Sequence, residues 1–160
     1  MAHRVIVALR RCGVEYVVAP YEADAQLAYL ARAGSISCVI TADSDLIPYG
    51  CTNVFLKMDK LGNGHLIEAA RLGEVLHGFD DNMLRIFCCL TGCDYMTPVK
   101  GLGVRGAHQL VKRYVTHERI IQAVLRDTSL TPPPDFAALL ERALLTFRHQ
   151  RVWCPTRQCI

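Results

Sequence analysis

The sequence has no CxxC pair, no hydrophobic run of membrane-spanning length, no low-complexity tail and no internal repeat. Each absence removes a class. Zinc ribbons and zinc fingers hold their metal through closely spaced cysteine pairs, so a structural zinc site is not expected. A membrane-spanning helix needs about 20 consecutive apolar residues, and the apolar runs here are far shorter. The opening MAHRVIVALRRCG sets a short apolar run between arginines without a small-residue cleavage site, which argues against a signal peptide. Strong net charge is also missing: the formal balance is +3. Charge alone therefore names no partner.

What is present is ordinary for a globular chain of one domain, or one domain with an appendage. The length is 160 residues, with 51% hydrophobic and 21% charged residues. Eight cysteines, mostly within apolar segments, read as reduced core thiols of a cytosolic or nuclear protein.

The informative stretch is PYEADAQLAYLARAGSISCVITADSDL, Pro20 to Leu46. It holds two acidic pairs, Glu22/Asp24 and Asp43/Asp45, each after an apolar, β-branched run. Read as strand ends, VEYVVAP and ISCVIT deliver four carboxylates to one edge of an α/β sheet, the edge where ligands bind. Carboxylates gathered together repel one another and call for a cation. Hard oxygen donors favour Mg²⁺ or Mn²⁺. Taken singly, each pair has a plainer reading as a helix start or a turn.

In chain order, 3–11 reads as a helix, 14–19 as a strand, 22–33 as a helix and 37–41 as a strand paired parallel to the first. Residues 53–58 form a third strand, and the GNG at 62–64 marks a hairpin or loop. From residue 68 onward the pattern is helical: 68–78, 82–90, 105–114, 119–126 and 136–150. Pro132, Pro133 and Pro134 separate the last two helices. The character changes near residue 80. We therefore expect a partial α/β parallel-sheet core over 1–80 and a helical region over 81–160.

Asp94, in GCDY, follows an apolar helix and is a candidate fifth ligand; its plain reading is a turn aspartate. Next comes KGLGVRGAHQLVKRY. Glycines let backbone N–H groups approach a phosphate, and the following helix offers its N-terminus. Between Lys100 and Arg126, six bases (Lys100, Arg105, Lys112, Arg113, Arg119 and Arg126) meet a single acid, Glu118. A solvated helix face would account for those charges. A basic segment beside an acidic cluster instead suits a polyanion.

VAPYEADAQLAYL, TADSDLIPYGC, LKMD and GCDYMTPVKGLGVRGAHQLV resemble the internal region of the structure-specific 5′-nucleases: flap endonuclease, exonuclease 1 and the excision-repair nuclease. The likeness runs from about Gly13 to about Tyr114. VFLKMDKLGNG and CCLTGCDY look most like the exonuclease 1 branch. The resemblance implies a PIN-like nuclease core. Glu22, Asp24, Asp43, Asp45 and Asp94 would be its catalytic, metal-binding carboxylates, served by two Mg²⁺ ions that Mn²⁺ can replace. It implies a helix–two-turn–helix element over Thr91 to Val104 that grips duplex DNA through a monovalent cation. Lys100, Gly101, Gly103, Arg105, Gly106, Lys112 and Arg113 would be its DNA-binding residues.

The implied activity is cleavage of flapped, nicked or recessed DNA in nuclear repair and replication, with repair or replication proteins as further partners. Two departures stand out. Ala42 occupies a position where exonuclease 1 relatives often carry an acid. The family's N-terminal region, opening MGI and supplying two further aspartates and a basic arch, has no counterpart here, so the chain alone is expected to be a poor nuclease. The rival readings are a PIN-type ribonuclease, a topoisomerase-primase fold, and a DNA-binding or partner-binding remnant without catalysis. The first two lack GCDY followed by the GLG hairpin.

Overall fold

The structure, a computed structural model, describes residues 2–160. The chain starts with α1 (Ala2–Arg11), which ends in two arginines and buries no residue. Helix α2 (Ala23–Arg32) buries Ala25, Ala28 and Ala31 at helical spacing, and Gly34 then leaves in the left-handed region. A three-stranded sheet follows in the order β1 (Val39–Thr41), β2 (Asn53–Leu56) and β3 (His65–Glu68). Val39 pairs with Val54 in the parallel β1–β2 ladder, and Phe55 with Leu66 in the antiparallel β2–β3 hairpin.

The GNG turn is sterically specified. A Cβ on Gly64 would lie 2.8 Å from the Leu56 carbonyl oxygen and 2.9 Å from the Phe55 ring, so only glycine fits.

The remainder is helical: α3 (Ala69–Val75), α4 (Asp81–Thr91), α5 (Val104–Tyr114), α6 (His117–Arg126) and α7 (Phe136–His149). Asp80 caps α4 by accepting from the Met83 backbone N–H at 2.7 Å. Helix α4 packs against both α5 and α7, burying Ile86, Cys89 and Leu90 completely. One continuous core runs from Ala25 to Phe147, through Leu46, Val54, Ile86, Val111, Val124 and Leu140.

The sequence reading misplaces one element. Residues 14–19 are not a strand. Among the described residues they find no ladder partner, and Val14, Val17 and Val18 stay exposed. A β-branched run has strand propensity but forms a strand only where another backbone supplies the hydrogen bonds. The sheet is accordingly mixed, and only Asp43/Asp45 follows a strand; Glu22/Asp24 opens α2 from an unpaired segment. The cysteines also divide. All eight are free thiols, but Cys12, Cys38 and Cys159 are exposed, while Cys51 and Cys89 are core residues.

The chain's last stretch folds back onto α2. The side chain of Gln26, 3% exposed, donates to the Trp153 carbonyl at 2.9 Å and accepts from the Trp153 N–H at 2.7 Å. Both polar ends of a buried amide are thereby satisfied. Beside it the Tyr29 hydroxyl contacts Cys154 Sγ at 3.0 Å.

Candidate metal centre and nucleic-acid interface

The acidic site is assembled from three segments: the start of α2, the turn after β1 and the turn after α4. Glu22 stands at the N-cap of α2 and Asp24 in its first turn. The DSD turn is built locally: Asp43 N–H donates to Thr41 Oγ1 at 3.0 Å, and Asp45 N–H donates to Asp43 Oδ1 at 2.9 Å. One Asp43 oxygen is thus spent on the backbone. Leu46, fully buried, anchors the turn in the core. Asp94, in the third segment, lies close enough to Asp45 to perturb its carboxyl.

The electrostatics show that these acids share one region. Burial raises the pKa of Asp24, and Asp43, Asp45, Glu22 and Asp94 each raise it further. Asp45 is likewise raised, by burial first and then by Asp43 and Asp94 against the Asp94 N–H. Glu22, Asp43, Asp45 and Asp94 therefore all lie within Coulombic range of Asp24. Ligation is a tighter condition: among the described residues no three His, Cys, Asp or Glu side chains are grouped closely enough to hold one ion. Coulombic coupling reaches farther than a metal–oxygen bond, so both statements hold.

Residues that carried no sequence signal brace this site. The Tyr49 and Tyr95 hydroxyls share a 2.6 Å hydrogen bond that joins the segment after Asp45 to the residue after Asp94. Phe147 of α7 packs edge-on against both rings, at 4.9 and 5.0 Å between centroids. Burial raises the pKa of both tyrosines. Two arginines hold the same segment from behind: Arg32 donates to the Tyr49 carbonyl at 3.1 Å and Arg85 to the Pro48 carbonyl at 2.9 Å. The sequence separations are 46 residues for Tyr49–Tyr95 and 37 for Arg85–Pro48, so local patterning could not announce these contacts.

The glycine hairpin lies between α4 and α5. Gly101 takes φ +87°, and Gly103 is the N-cap of α5 without any side-chain cap. The first amides of α5 thus have no side-chain acceptor, the condition in which a helix start receives an anion. Helix α5 sorts its faces cleanly. Ala107 and Val111 are buried at i, i+4, while Lys100 before the helix and Arg105, Lys112 and Arg113 on it are exposed. Among the described residues none of these four bases takes part in a salt bridge. Gly106 keeps the hairpin tight, since a Cβ there would sit 3.2 Å from Leu102.

The XPG I-region family matches residues 13–94, just over half of the chain. The chain belongs to that family. It is 43% identical over 164 aligned residues to exonuclease 1 of Arabidopsis thaliana, covering 100% of this chain and 22% of that protein. It is 40% identical over 161 residues to exodeoxyribonuclease 1 of Schizosaccharomyces pombe, covering 97% and 28%. The chain spans about a quarter of the length of these relatives.

Among solved structures, flap endonuclease-1 from Methanococcus jannaschii superposes with TM-score 0.74 at 24% identity, over 92% of this chain and 43% of that one. A Holliday junction-resolving enzyme in complex with product DNA and a Mg²⁺ ion superposes with TM-score 0.77 at 22% identity, over 98% and 44%. At these identities the likeness shows the fold: this is the α/β nuclease core expected, with its helical extension.

Proposed function

We propose that this XPG I-region chain is the metal-binding and DNA-gripping part of a structure-specific 5′-nuclease of the exonuclease 1 kind. Its proposed reaction is phosphodiester hydrolysis at 5′ flaps, nicks or recessed ends, in nuclear DNA repair and replication. One observation carries the reading. Five carboxylates from three separate segments gather closely enough that the other four all raise the pKa of Asp24, and Gly103 opens α5 with no side-chain cap, followed by exposed bases. Support comes from relatives named exonuclease 1 and from a superposable nuclease bound to DNA and Mg²⁺.

The donor set fits a hard divalent cation: carboxylate oxygens, partly exposed and mutually repelling. Glu22, Asp24, Asp43, Asp45 and Asp94 would hold Mg²⁺, in a pair of ions with Mn²⁺ as substitute. When bound, such ions lower the pKa of water and neutralise charge on the phosphoryl group. The chain's own work is positional. The Asp45 N–H to Asp43 bond shapes the DSD turn, and the tyrosine pair keeps the two turns together. Lys100, Arg105, Lys112 and Arg113 would neutralise backbone phosphates, with the Gly101–Gly103 hairpin letting the strand come close. A monovalent cation on backbone oxygens of residues 91–104 belongs to the same proposal, as does a division of labour between 1–80 for metal and 81–160 for DNA.

A second reading, DNA binding without cleavage, is favoured by one observation: no three carboxylates among the described residues are close enough to share an ion. Purified 1–160 with Mg²⁺ or Mn²⁺ on 5′-flap and recessed-end duplexes separates the two. Turnover abolished by Asp43→Ala establishes the nuclease; duplex binding with no turnover establishes the second reading.

A further inference from the structure

We propose that the loop joining α6 to α7, residues 127–131, is a positioning part of the DNA-gripping hairpin, with Asp127 as the residue that sets it. The inference rests on the reading of the hairpin as a DNA contact. The sequence pattern gave this loop no role.

The loop is shaped from within. Asp127 Oδ1 accepts from the Ser129 N–H at 2.9 Å and from Ser129 Oγ at 2.6 Å, and the Leu130 N–H donates to the Asp127 carbonyl at 3.1 Å. This Asx turn fixes the direction in which the backbone leaves α6. The chain then runs antiparallel to the hairpin. The Lys100 N–H donates to the Thr131 carbonyl at 3.1 Å, and the Thr131 N–H donates to the Lys100 carbonyl at 2.9 Å. The next hairpin residue is Gly101, whose missing side chain makes room for the loop: a Cβ would lie 3.0 Å from the Ser129 carbonyl oxygen and 3.4 Å from Leu130. Leu130 itself packs on the core, so the brace is anchored rather than free.

Lys100 and Gly101 are thus clamped two residues before Gly103 opens α5. A backbone grip on phosphate depends on where its amides point, and small displacements cost much of such an interaction. The loop holds the hairpin in the one conformation it has here. The Ser129 bonds also hold the Asp127 carboxyl below its ordinary pKa, as a fixed carboxylate acceptor should be.

Charge and position predict opposite results at Asp127, which makes the test sharp. An acid near a polyanion repels it, so by charge alone its removal tightens binding. As a positioning residue, its removal loosens binding. Duplex DNA carrying a 5′ flap is titrated with residues 1–160, and affinity is read by fluorescence anisotropy across a salt series. Asp127→Ala is expected to weaken binding about fivefold, the scale of about 1 kcal/mol of lost turn hydrogen bonding. Its salt slope should not change, because no phosphate contact is removed. Asp127→Asn keeps an oxygen acceptor for Ser129 and is expected within about twofold of the parent.

Should Asp127→Ala fail to fold, Ser129→Ala removes only the hydroxyl bond and is expected to weaken binding about twofold. Equal or tighter binding by the Ala variant, while Lys112→Glu/Arg113→Glu weakens it, overturns the inference alone. Unchanged affinity in that charge-reversal variant overturns the DNA reading and the inference with it.

Discussion

Asp24 is placed where a helix dipole should depress its pKa, yet its pKa is raised. Partial burial and four neighbouring acids outweigh the dipole. The sign for stability follows. A carboxyl whose folded pKa lies above its unfolded value binds more protons in the folded state, so stability falls as pH rises through that interval. The interval opens at the ordinary aspartate value of 3.8 and extends upward. Asp24→Asn should therefore melt higher than the parent at neutral pH, with the difference vanishing below the ordinary carboxylate range; paired thermal melts across pH check it. Divalent cation should raise the parent's melting temperature and leave the variant's less affected.

The tyrosine pair makes a different prediction. Tyr49→Phe leaves the Tyr95 hydroxyl without its 2.6 Å partner, at a cost of about 1–2 kcal/mol. The double variant Tyr49→Phe/Tyr95→Phe removes both hydroxyls and should recover part of that loss in urea unfolding. Asp43, Asp45 and Asp94 stand out as candidates in the sequence because each follows a recognisable element. Tyr49, Tyr95 and Arg85 were not, because what defines them is a partner tens of residues away.

At the scale of elements, helices were legible and one strand was not, for a shared reason. Helix α5 satisfies its own backbone, so the spacing of Ala107 and Val111 suffices to reveal it and its buried face. A strand borrows its hydrogen bonds. VEYVVA has the composition of one and no partner among the described residues, so local reading misassigned it. The GNG turn was legible as a local object, as a hairpin or a loop; its second strand, His65–Glu68, was not, because its hydrogen bonds come from β2.

Helix α5 also carries the clearest element-scale prediction. Lys112 and Arg113 are exposed in its last turn and, among the described residues, form no salt bridge. Lys112→Glu/Arg113→Glu should weaken duplex binding alike for all sequences. The slope of log affinity against log salt should shrink by about two, as when two phosphate contacts are lost. Retained affinity with an unchanged slope would remove α5 from the interface. Circular dichroism should show the helix intact, since both side chains are exposed.

At the scale of the molecule, the change of character near residue 80 does not divide the interior. Leu46 and Val54 from the α/β part and Ile86, Val111 and Leu140 from the helical part belong to one buried cluster. The acidic site sits on that join, drawing Asp24, Asp43 and Asp45 from one side and Asp94 from the other. Leu140→Ala in α7 should cost about 2–5 kcal/mol through the cavity it leaves. It should lower one cooperative unfolding transition monitored by far-ultraviolet and near-ultraviolet signals alike. Two separated transitions would mean that the halves fold independently.

The Gln26–Trp153 contact gives this unity a practical edge. The same helix turns one carboxylate, Asp24, toward the acidic site and, two residues on, holds the returning end of the chain. Trimming the protein before Trp153 would strand a buried amide inside α2, two residues along the backbone from a proposed metal ligand. Trp153 is therefore a wall of the building rather than its porch: a version cut before it would report on a damaged site while seeming merely smaller.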